Sequence, residues 1–403
     1  MSSLPTLIAT AVGLLASAVW LGHLVGWLWH RDRIQRLIDL PADPPEAGWP
    51  RLAVAFAARD EAPHVEAAVR SLLAQDYPAL EVIAVDDRSA DATGSILDAL
   101  AAEDSRLRVI HVRELPDGWL GKPHALQRAS EAAGAAWLLF TDADVVFAPE
   151  VLKKAVAFAV RSGADHVTVS PTIPTASFGE RLFLSMFDAA FAVGFPIWRV
   201  ENPARRAHLG VGAFNLVRAE RFHDIGGFRR LALSVDDDMR LGEALKAAGG
   251  CPRVLLGDRA VVVKWHTGLW GMIRGLEKNG FAVAHYRVAE AAAMMLLVMG
   301  LGTGPFLLLI FGPPGLAPIG LAALVSAGAA MEQYGRQNGV RWYDALLLPL
   351  SAAVLAFALA RSAWLTLRRG GVVWRGRHYP LPRLRAHVRW RDAWLREVWK
   401  STR

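Results

Sequence analysis

The chain has 403 residues, a net charge of +7 and 53% apolar residues, and this apolar share is high for a soluble enzyme. Its length accommodates one α/β domain together with several membrane segments. The single cysteine, Cys251, excludes an intrachain disulfide and a cysteine-rich zinc site, so we expect the polar part of the chain in a reducing compartment.

The first predicted element is a membrane helix. Residues 7–29 are almost continuously apolar, with His23 the only ionisable residue, and this length spans a bilayer. His30, Arg31, Arg33 and Arg36 follow, so the positive-inside rule predicts that this flank and the next domain are cytoplasmic. Residues 1–36 therefore form a membrane helix with its basic flank, and residues 37–50 form a proline-rich linker.

Alternating strands and helices are predicted from Arg51 onward. Short apolar runs indicate buried parallel strands at 52–57, 80–85, 107–112 and 137–141, with helices between them at 63–75, 92–103 and 123–133. Repeated βα units predict an α/β fold with a Rossmann-like, mostly parallel sheet, which we assign to residues 51–285. Ligands bind at the carboxyl ends of the strands in such sheets.

Acidic residues follow the first two predicted strands. Glu61 comes shortly after the first strand, and Asp86 and Asp87 end the second. A carboxylate at a strand end can accept hydrogen bonds from a ribose hydroxyl or a base N–H. Taken singly, each motif is more often a helix cap or a turn than a binding site.

Two further acidic clusters carry more chemistry. Asp142 and Asp144 follow the fourth strand, and two carboxylates at a sheet edge suit Mg²⁺ or Mn²⁺, which bind a few carboxylates together with substrate phosphates. Asp236, Asp237 and Asp238 are consecutive. One of them could serve as a general base, although acidic residues also favour the start of any solvated helix.

Hydrophobic segments return in the C-terminal part of the chain. Residues 291–311, 315–331 and 345–367 predict membrane segments within a region that we assign to 286–367. The tail, residues 368–403, holds eleven Lys/Arg and two Asp/Glu, and a basic tail beside a membrane segment indicates anionic lipid headgroups rather than nucleic acid.

Taken in order, the acidic clusters resemble those of family 2 glycosyltransferases with the GT-A fold, over roughly residues 51–281. The resemblance implies that Asp86 and Asp87 contact the nucleotide and that Asp142 and Asp144 form the D-x-D metal motif. It also implies that Asp237 and Asp238 correspond to the Glu-Asp motif of the family, with Asp238 in the position of the base.

Three other motifs resemble a membrane-bound bacterial subgroup that includes hopanoid-associated and carotenoid-acid (diaponeurosporenoate) glycosyltransferases. These motifs lie at 118–123, 226–228 and 371–379. Processive synthases carry a Gln/Arg-x-x-Arg-Trp motif after the base, whereas no Trp follows Arg274 here. This departure favours transfer of a single sugar.

The resemblance predicts an inverting enzyme that uses a nucleotide-diphosphate sugar, with UDP favoured. The membrane segments on both sides of the catalytic domain predict a lipid or polyisoprenoid acceptor. Lys122 and Arg274 are candidate partners of the diphosphate, and the apolar stretch 178–191 either packs in a core or borders the acceptor. We expect a multi-pass protein of the inner (plasma) membrane with a cytoplasmic catalytic domain. The alternatives are a processive polysaccharide synthase and a non-catalytic nucleotide-sugar-binding membrane protein.

Overall fold

The computed structural model describes residues 3–402, and these divide into two compact units. The sheet unit comprises Ile34–Thr172, Ile197–Lys264 and the residues from Ala386 on. The helical unit comprises the residues up to Arg33 together with Ile173–Pro196 and Trp265–Arg385. The boundaries of these units differ from the predicted domain boundaries at 51–285 and 368–403. The reason is that a compact unit is defined by packing contacts, and these join parts of the chain that are distant in the sequence.

The sheet unit is built on an eight-stranded sheet formed by the described residues, and all but one of its strands run in the same direction. Asn215–Arg218 is the exception and pairs antiparallel with the strands on either side. In spatial order the strands are Gln35–Arg36, Pro252–Leu256, His166–Ser170, Asn215–Arg218, Trp137–Asp142, Leu52–Ala58, Leu80–Asp87 and Leu107–Val112. The predicted α/β fold class and its four N-terminal strands are confirmed.

Helices cover this sheet because each has one apolar face. In the helix Val65–Leu73, for example, the buried residues Val65, Ala68, Val69 and Leu72 follow helical spacing. The other helices of this unit are Thr93–Glu103, Gly121–Ala132, Val151–Arg161, Ile197–Val200, Ala219–Asp224 and Asp237–Ala247, with 3₁₀ turns at Leu37–Asp39 and Gly227–Leu231. A small antiparallel pair, Val145–Phe147 with Val261–Val263, lies beside the main sheet.

The helical unit contains long apolar helices that pack closely through small side chains. A Cβ atom added to Gly304 would collide with Ala16, which is the close approach that small residues allow between membrane helices. Its helices are Leu4–His30, Phe178–Gly194, Gly268–Gly275, Gly280–Val283, Val288–Phe311, Ala317–Ala330 and Leu348–Arg368, with short 3₁₀ or π turns at Pro314–Leu316, Met331–Gly335, Arg336–Asn338 and Trp342–Leu347.

Five helical segments among the described residues are long and apolar enough to cross a membrane: Leu4–Arg33, Phe178–Val200, Val288–Phe311, Pro314–Asn338 and Trp342–Arg368. Four of them match predicted membrane segments. Phe178–Val200 is the additional one, and its residues Phe183, Leu184 and Met186 are buried in the core of the helical unit. Core packing therefore accounts for part of this stretch.

The basic C-terminal tail is regular structure. Gly371–Trp374 and Arg377–Pro380 form an antiparallel hairpin, and Leu381–Ser401 forms a long helix, which we call the C-terminal helix. Leu395 and Trp399 of this helix are buried in the hydrophobic core of the sheet unit. The buried side of the tail therefore serves the fold, and contact of its basic residues with lipid headgroups remains a prediction.

Candidate active site

The acidic clusters meet at one edge of the sheet because parallel strands align their carboxyl ends. The strand Leu52–Ala58 lies between the strands that carry Asp86 and Asp142. In the register of the sheet, Ala58 is the partner of Asp86 and Ala57 is the partner of Asp142. The sheet therefore places two of the predicted aspartates on either side of the same strand end.

Lys122 reaches into this cluster from the first turn of the helix Gly121–Ala132. Its ammonium nitrogen lies 2.6 Å from Asp142 Oδ1 and 3.9 Å from Asp237 Oδ2. Burial alone would lower the pKa of Lys122, but the carboxylates of Asp142, Asp237 and Asp238 hold that pKa above its ordinary value. Lys122 is thus a fixed positive charge among the aspartates, and not an ordinary surface lysine.

Gly212 marks the point at which these groups converge. A Cβ atom added there would lie 2.7 Å from Asp142 Oδ2, 3.3 Å from Asp238 Oδ2 and 3.4 Å from Lys122 Nζ. The absence of a side chain at Gly212 leaves room for the three charged groups to face the same point. Lys122, Gly212 and Asp238 line a small pocket at this point, together with Asn215 and Asp237.

Asp238 lies in the first turn of the helix Asp237–Ala247, and backbone groups hold both of its oxygens. Oδ2 accepts a hydrogen bond of 2.7 Å from the N–H of Gly212, and Oδ1 accepts one of 2.8 Å from the N–H of Met239. Burial raises the pKa of Asp238, while the charge of Lys122 opposes that rise. A carboxylate with a raised pKa is better matched to proton transfer near neutral pH.

Asp144 and Glu61 lie close enough to influence each other. Burial raises the pKa of Asp144 to about 7, and the negative charges of Asp142 and Glu61 contribute to that rise. Within residues 3–402, no three acidic, histidine or cysteine side chains are grouped as a complete metal site. The neighbouring carboxylates of Asp142 and Asp144 nevertheless fit a cation such as Mg²⁺, which takes its other ligands from water and substrate phosphates.

The two predicted nucleotide-contacting aspartates are buried and are held by protein groups. Asp86 accepts hydrogen bonds from His111 Nδ1 at 3.0 Å and from the N–H of Ser89 at 3.2 Å. Asp87 accepts two from the guanidinium of Arg88, at 2.8 Å and 3.0 Å. Their position at the strand end is as predicted, and their contact with a nucleotide remains a prediction.

Arg274 and Asp236 have different surroundings from the other predicted site residues. Arg274 belongs to the helical unit, where its guanidinium stacks 5.5 Å from the ring centre of Trp270, and its role at a diphosphate remains a prediction. Asp236 precedes the helix of Asp238 and binds Arg240 at 2.8 Å in buried surroundings. Asp236 is thus part of a structural ion pair.

Sequence reasoning did not identify the residues that shape the loop beside Asp238. Asn215 accepts a hydrogen bond from His166 at 2.9 Å and donates one to the carbonyl of Val211, also at 2.9 Å. Val211 directly precedes Gly212, so this buried pair fixes the loop that binds Asp238. The Gly-Val-Gly sequence at 210–212, just before a strand, is the one local pattern that could have indicated a close backbone approach.

One family model matches the central part of the sequence. Residues 54–226 match the family model described as Glycosyl transferase family 2. The predicted resemblance to family 2 glycosyltransferases is confirmed over this segment. The more specific resemblance to hopanoid-associated and carotenoid-acid enzymes remains a prediction.

Curated relatives match parts of the chain. Glycosyltransferase AglD of Haloferax volcanii is 38% identical over 30% of this chain and 20% of its own length. The putative teichuronic acid biosynthesis glycosyltransferase TuaG of Bacillus subtilis is 32% identical over 26% of this chain and 38% of its own. The succinoglycan biosynthesis protein ExoO of Rhizobium meliloti is 27% identical over 50% of this chain and 58% of its own. The chain therefore spans less than two thirds of each relative.

Solved structures align over a larger share of the chain. The mannosyltransferase PcManGT from Pyrobaculum calidifontis, in complex with GDP-Man and Mn²⁺, has a TM-score of 0.49 and 21% identity, and the alignment covers 88% of this chain and 99% of that one. A structure of S. aureus TarS in complex with UDP-GlcNAc has a TM-score of 0.41 and 17% identity, covering 81% of this chain and 95% of that one.

Proposed function

We propose that the chain moves one sugar from a nucleotide-diphosphate donor to a lipid or polyisoprenoid acceptor, and the match of residues 54–226 to the family 2 glycosyltransferase model supports this proposal. The observation that carries this proposal is the convergence of Lys122, Asp142 and Asp238 on Gly212. The positive charge of Lys122, the candidate metal ligand Asp142 and the candidate base Asp238 then face one point. Positive charge and a metal would stabilise the leaving diphosphate, and the base would accept the proton of the acceptor hydroxyl.

Asp238 is the proposed general base. In an inverting transfer the acceptor hydroxyl oxygen attacks the anomeric carbon of the donor, the bond from that carbon to the diphosphate breaks, and Asp238 accepts the hydroxyl proton. The hydrogen bonds from Gly212 and Met239 fix the orientation of the carboxylate before the acceptor arrives. Such fixed geometry lowers the entropic cost of the reaction.

Asp142 and Asp144 are the proposed ligands of Mg²⁺ or Mn²⁺. Burial, together with the negative charges of Asp142 and Glu61, raises the pKa of Asp144, and a bound cation would offset both effects by stabilising the ionised carboxylate. When bound, the metal would supply positive charge that stabilises the leaving diphosphate. Glu61 lies near this pair, and Asp86 and Asp87 stand at the neighbouring strand end, where the resemblance expects the nucleotide.

Lys122 is proposed to act on the leaving diphosphate. In the structure its ammonium is held by Asp142 at 2.6 Å. A phosphate oxygen that enters this site meets a lysine already oriented by carboxylates, so little side-chain entropy is lost on binding. Arg274 is proposed as a second cation for the diphosphate.

The acceptor is proposed to be a lipid because the chain contains five helical segments that are apolar and long enough to cross a membrane. A water-soluble acceptor would not require such helices. We place the protein in the inner (plasma) membrane as a multi-pass protein with a cytoplasmic catalytic domain, where nucleotide sugars are made. The missing Trp after Arg274 supports transfer of a single sugar rather than chain extension.

The direct test is an assay on membranes that contain the overproduced protein. These membranes are incubated with a panel of radiolabelled nucleotide sugars and Mn²⁺, and the label is followed into the lipid extract. Membranes that contain the Asp238→Asn variant serve as the matched control. We expect one sugar to label a lipid of discrete mobility. Label in a long polymer would instead support a processive synthase, and no transfer of any sugar would refute the proposal.

A further inference from the structure

From Ala386 on, the C-terminal helix belongs to the sheet unit, and one face of the helix packs against the rest of that unit. The residues of this face recur every three or four positions, as one side of an α-helix requires, and they are His387, Trp390, Arg391, Trp394, Leu395 and Trp399. Leu395 and Trp399 are buried with Leu241 and Leu245 of the helix Asp237–Ala247. Trp399 also stacks on the guanidinium of Arg206, 5.6 Å from its ring centre.

The same face contacts the segment that leads to the aspartate cluster. Trp390 and Trp394 stack with each other at 6.3 Å, and the guanidinium of Arg230 lies 5.5 Å and 5.6 Å from their ring centres. His387 Nε2 lies 3.3 Å from Ser234 Oγ, in a contact that either group can donate. Both ends of the segment from Arg230 to Ser234 are therefore held by the C-terminal helix.

Arg391 is the most buried charged residue of this face, with 2% of its surface exposed. Its guanidinium binds Asp392 at 3.0 Å, while its Nε atom has no hydrogen-bond partner among the described residues. One helical turn separates it from His387, which contacts Ser234, and from Leu395, which is buried with Leu241, so it faces the start of the helix Asp237–Ala247. Burial would raise the pKa of Asp236 and of the half-buried Glu243, but neighbouring positive charges, that of Arg391 among them, hold both pKa values below their ordinary range. A buried guanidinium is costly unless acidic groups surround it, so its position depends on these carboxylates and theirs on it.

Asp236 directly precedes the helix that carries the proposed base Asp238, and Glu243 lies within that helix. Arg240 Nε binds Asp236 at 2.8 Å and its Nη1 binds Glu243 at 2.8 Å. The N–H of Arg240 also donates to the carbonyl of Asp236 at 3.0 Å, in the first turn of the helix. Asp238 is two residues beyond Asp236, so a shift of Asp236 displaces Asp238 as well.

We propose that the C-terminal helix is a positioning element of the active site, in which Arg391 acts through the buried Asp236 ion pair to hold Asp238 against Gly212. This inference rests on the proposed function, since it assigns the helix a part in placing the proposed base. It also gives the basic C-terminal sequence a role that its composition alone does not indicate.

The test compares Arg391→Ala and Arg391→Lys with Arg389→Ala, because Arg389 lies two residues away on the exposed side of the same helix. Each variant is purified in detergent as the full chain, and its kcat and its KM are measured with the nucleotide sugar that labels the lipid extract. We expect Arg391→Ala to lower kcat about tenfold or more, because displacement of a catalytic group by about 1 Å can cost up to 10²-fold in rate. Its KM and its affinity for UDP with Mn²⁺ should stay at the wild-type level.

Arg391→Lys keeps the charge in a different shape, so it should recover part of the lost kcat, while Arg389→Ala should match the wild type. If Arg391→Ala does not fold, Arg391→Met, which fills the buried space without the charge, takes its place, and a wild-type kcat in that folded variant would overturn the inference. A folded Arg391→Ala protein with wild-type kcat would overturn it as well. Absence of transfer by the wild-type chain would instead refute the proposed function, and the inference with it.

Discussion

The backbone N–H of Gly212 donates a hydrogen bond of 2.7 Å to Asp238 Oδ2, which joins two residues 26 positions apart in the sequence. The same glycine stands where an added Cβ atom would be 2.7 Å from Asp142 Oδ2. One residue without a side chain therefore governs the distance between the proposed metal ligand and the proposed base.

Gly212→Ala should disable transfer without unfolding the protein. The added Cβ would force the carboxylate of Asp142 or the loop itself to move, and a displacement of this size at a catalytic group can cost about 10²-fold in rate. The measurement is sugar transfer to lipid. Gly134→Ala is the matched control, since its Cβ would meet only Arg51 Nη2 at 3.8 Å. Full activity of Gly212→Ala would mean that the convergence is not catalytic.

Asp238→Asn should keep the shape of the side chain and remove its basicity. Loss of a positioned base costs about 10²- to 10⁴-fold in rate, and we expect the rate of sugar transfer to fall by an amount within this range. UDP binding should persist, because the proposed nucleotide and metal contacts lie on other residues. Asp224→Asn, at an exposed carboxylate, is the control, and Asp236→Asn should be milder than Asp238→Asn. A dispensable Asp238 would assign the base to another residue.

Asp142→Ala and Asp144→Ala should each abolish turnover that depends on a divalent metal. Each change removes one of two proposed carboxylate ligands, while the sheet that carries them is held by its own core. Activity is measured across a titration of Mn²⁺, and folding is checked by the thermal unfolding midpoint. Wild-type activity of both variants at limiting Mn²⁺ would contradict the metal assignment.

His166 should make the free energy of unfolding depend on pH in the acid range. Burial lowers the pKa of His166 to about 4 in the folded protein, against about 6.5 in the unfolded chain. The unfolded chain therefore binds a proton that the folded one does not, and stability falls as the pH drops from about 6.5 to about 4.

The full effect at this one histidine is about 3 kcal/mol, which is an order-of-magnitude value. His166→Gln keeps a donor near the position of Nε2 and cannot take up the proton. The thermal unfolding midpoint of the variant should therefore decline less steeply than that of the wild type between pH 6.5 and pH 4.5. Equal slopes would show that His166 is not neutral in the folded protein.

The flank after the first helix should lie in the cytoplasm. Leu4–His30 is followed by Arg31, Arg33 and Arg36, and basic residues favour the cytoplasmic side of a membrane helix. A fluorescent protein fused after Arg36 should fluoresce, and alkaline phosphatase fused there should be inactive. Phosphatase activity at this position would reverse the topology and remove the proposed supply of nucleotide sugar.

Local sequence patterns determined much of the architecture. The strands Leu52–Ala58, Leu80–Asp87, Leu107–Val112 and Trp137–Asp142 lie where apolar runs predicted them, because a strand buried on both faces must be apolar along its length. The order of strands and helices also predicted that the acidic clusters share one edge, since parallel strands end on the same side. The long apolar helices were equally evident from composition.

Contacts between distant residues were decided only by the tertiary structure. No local sequence pattern indicates that Lys122 lies 2.6 Å from Asp142 or that Gly212 binds Asp238. Such contacts depend on how the loops fold over the edge of the sheet. Composition likewise describes the C-terminal helix as basic and suited to lipid headgroups, whereas Arg391 is buried beside Asp236. Charge is a property of the sequence, but burial and pairing depend on which surfaces meet when the chain folds.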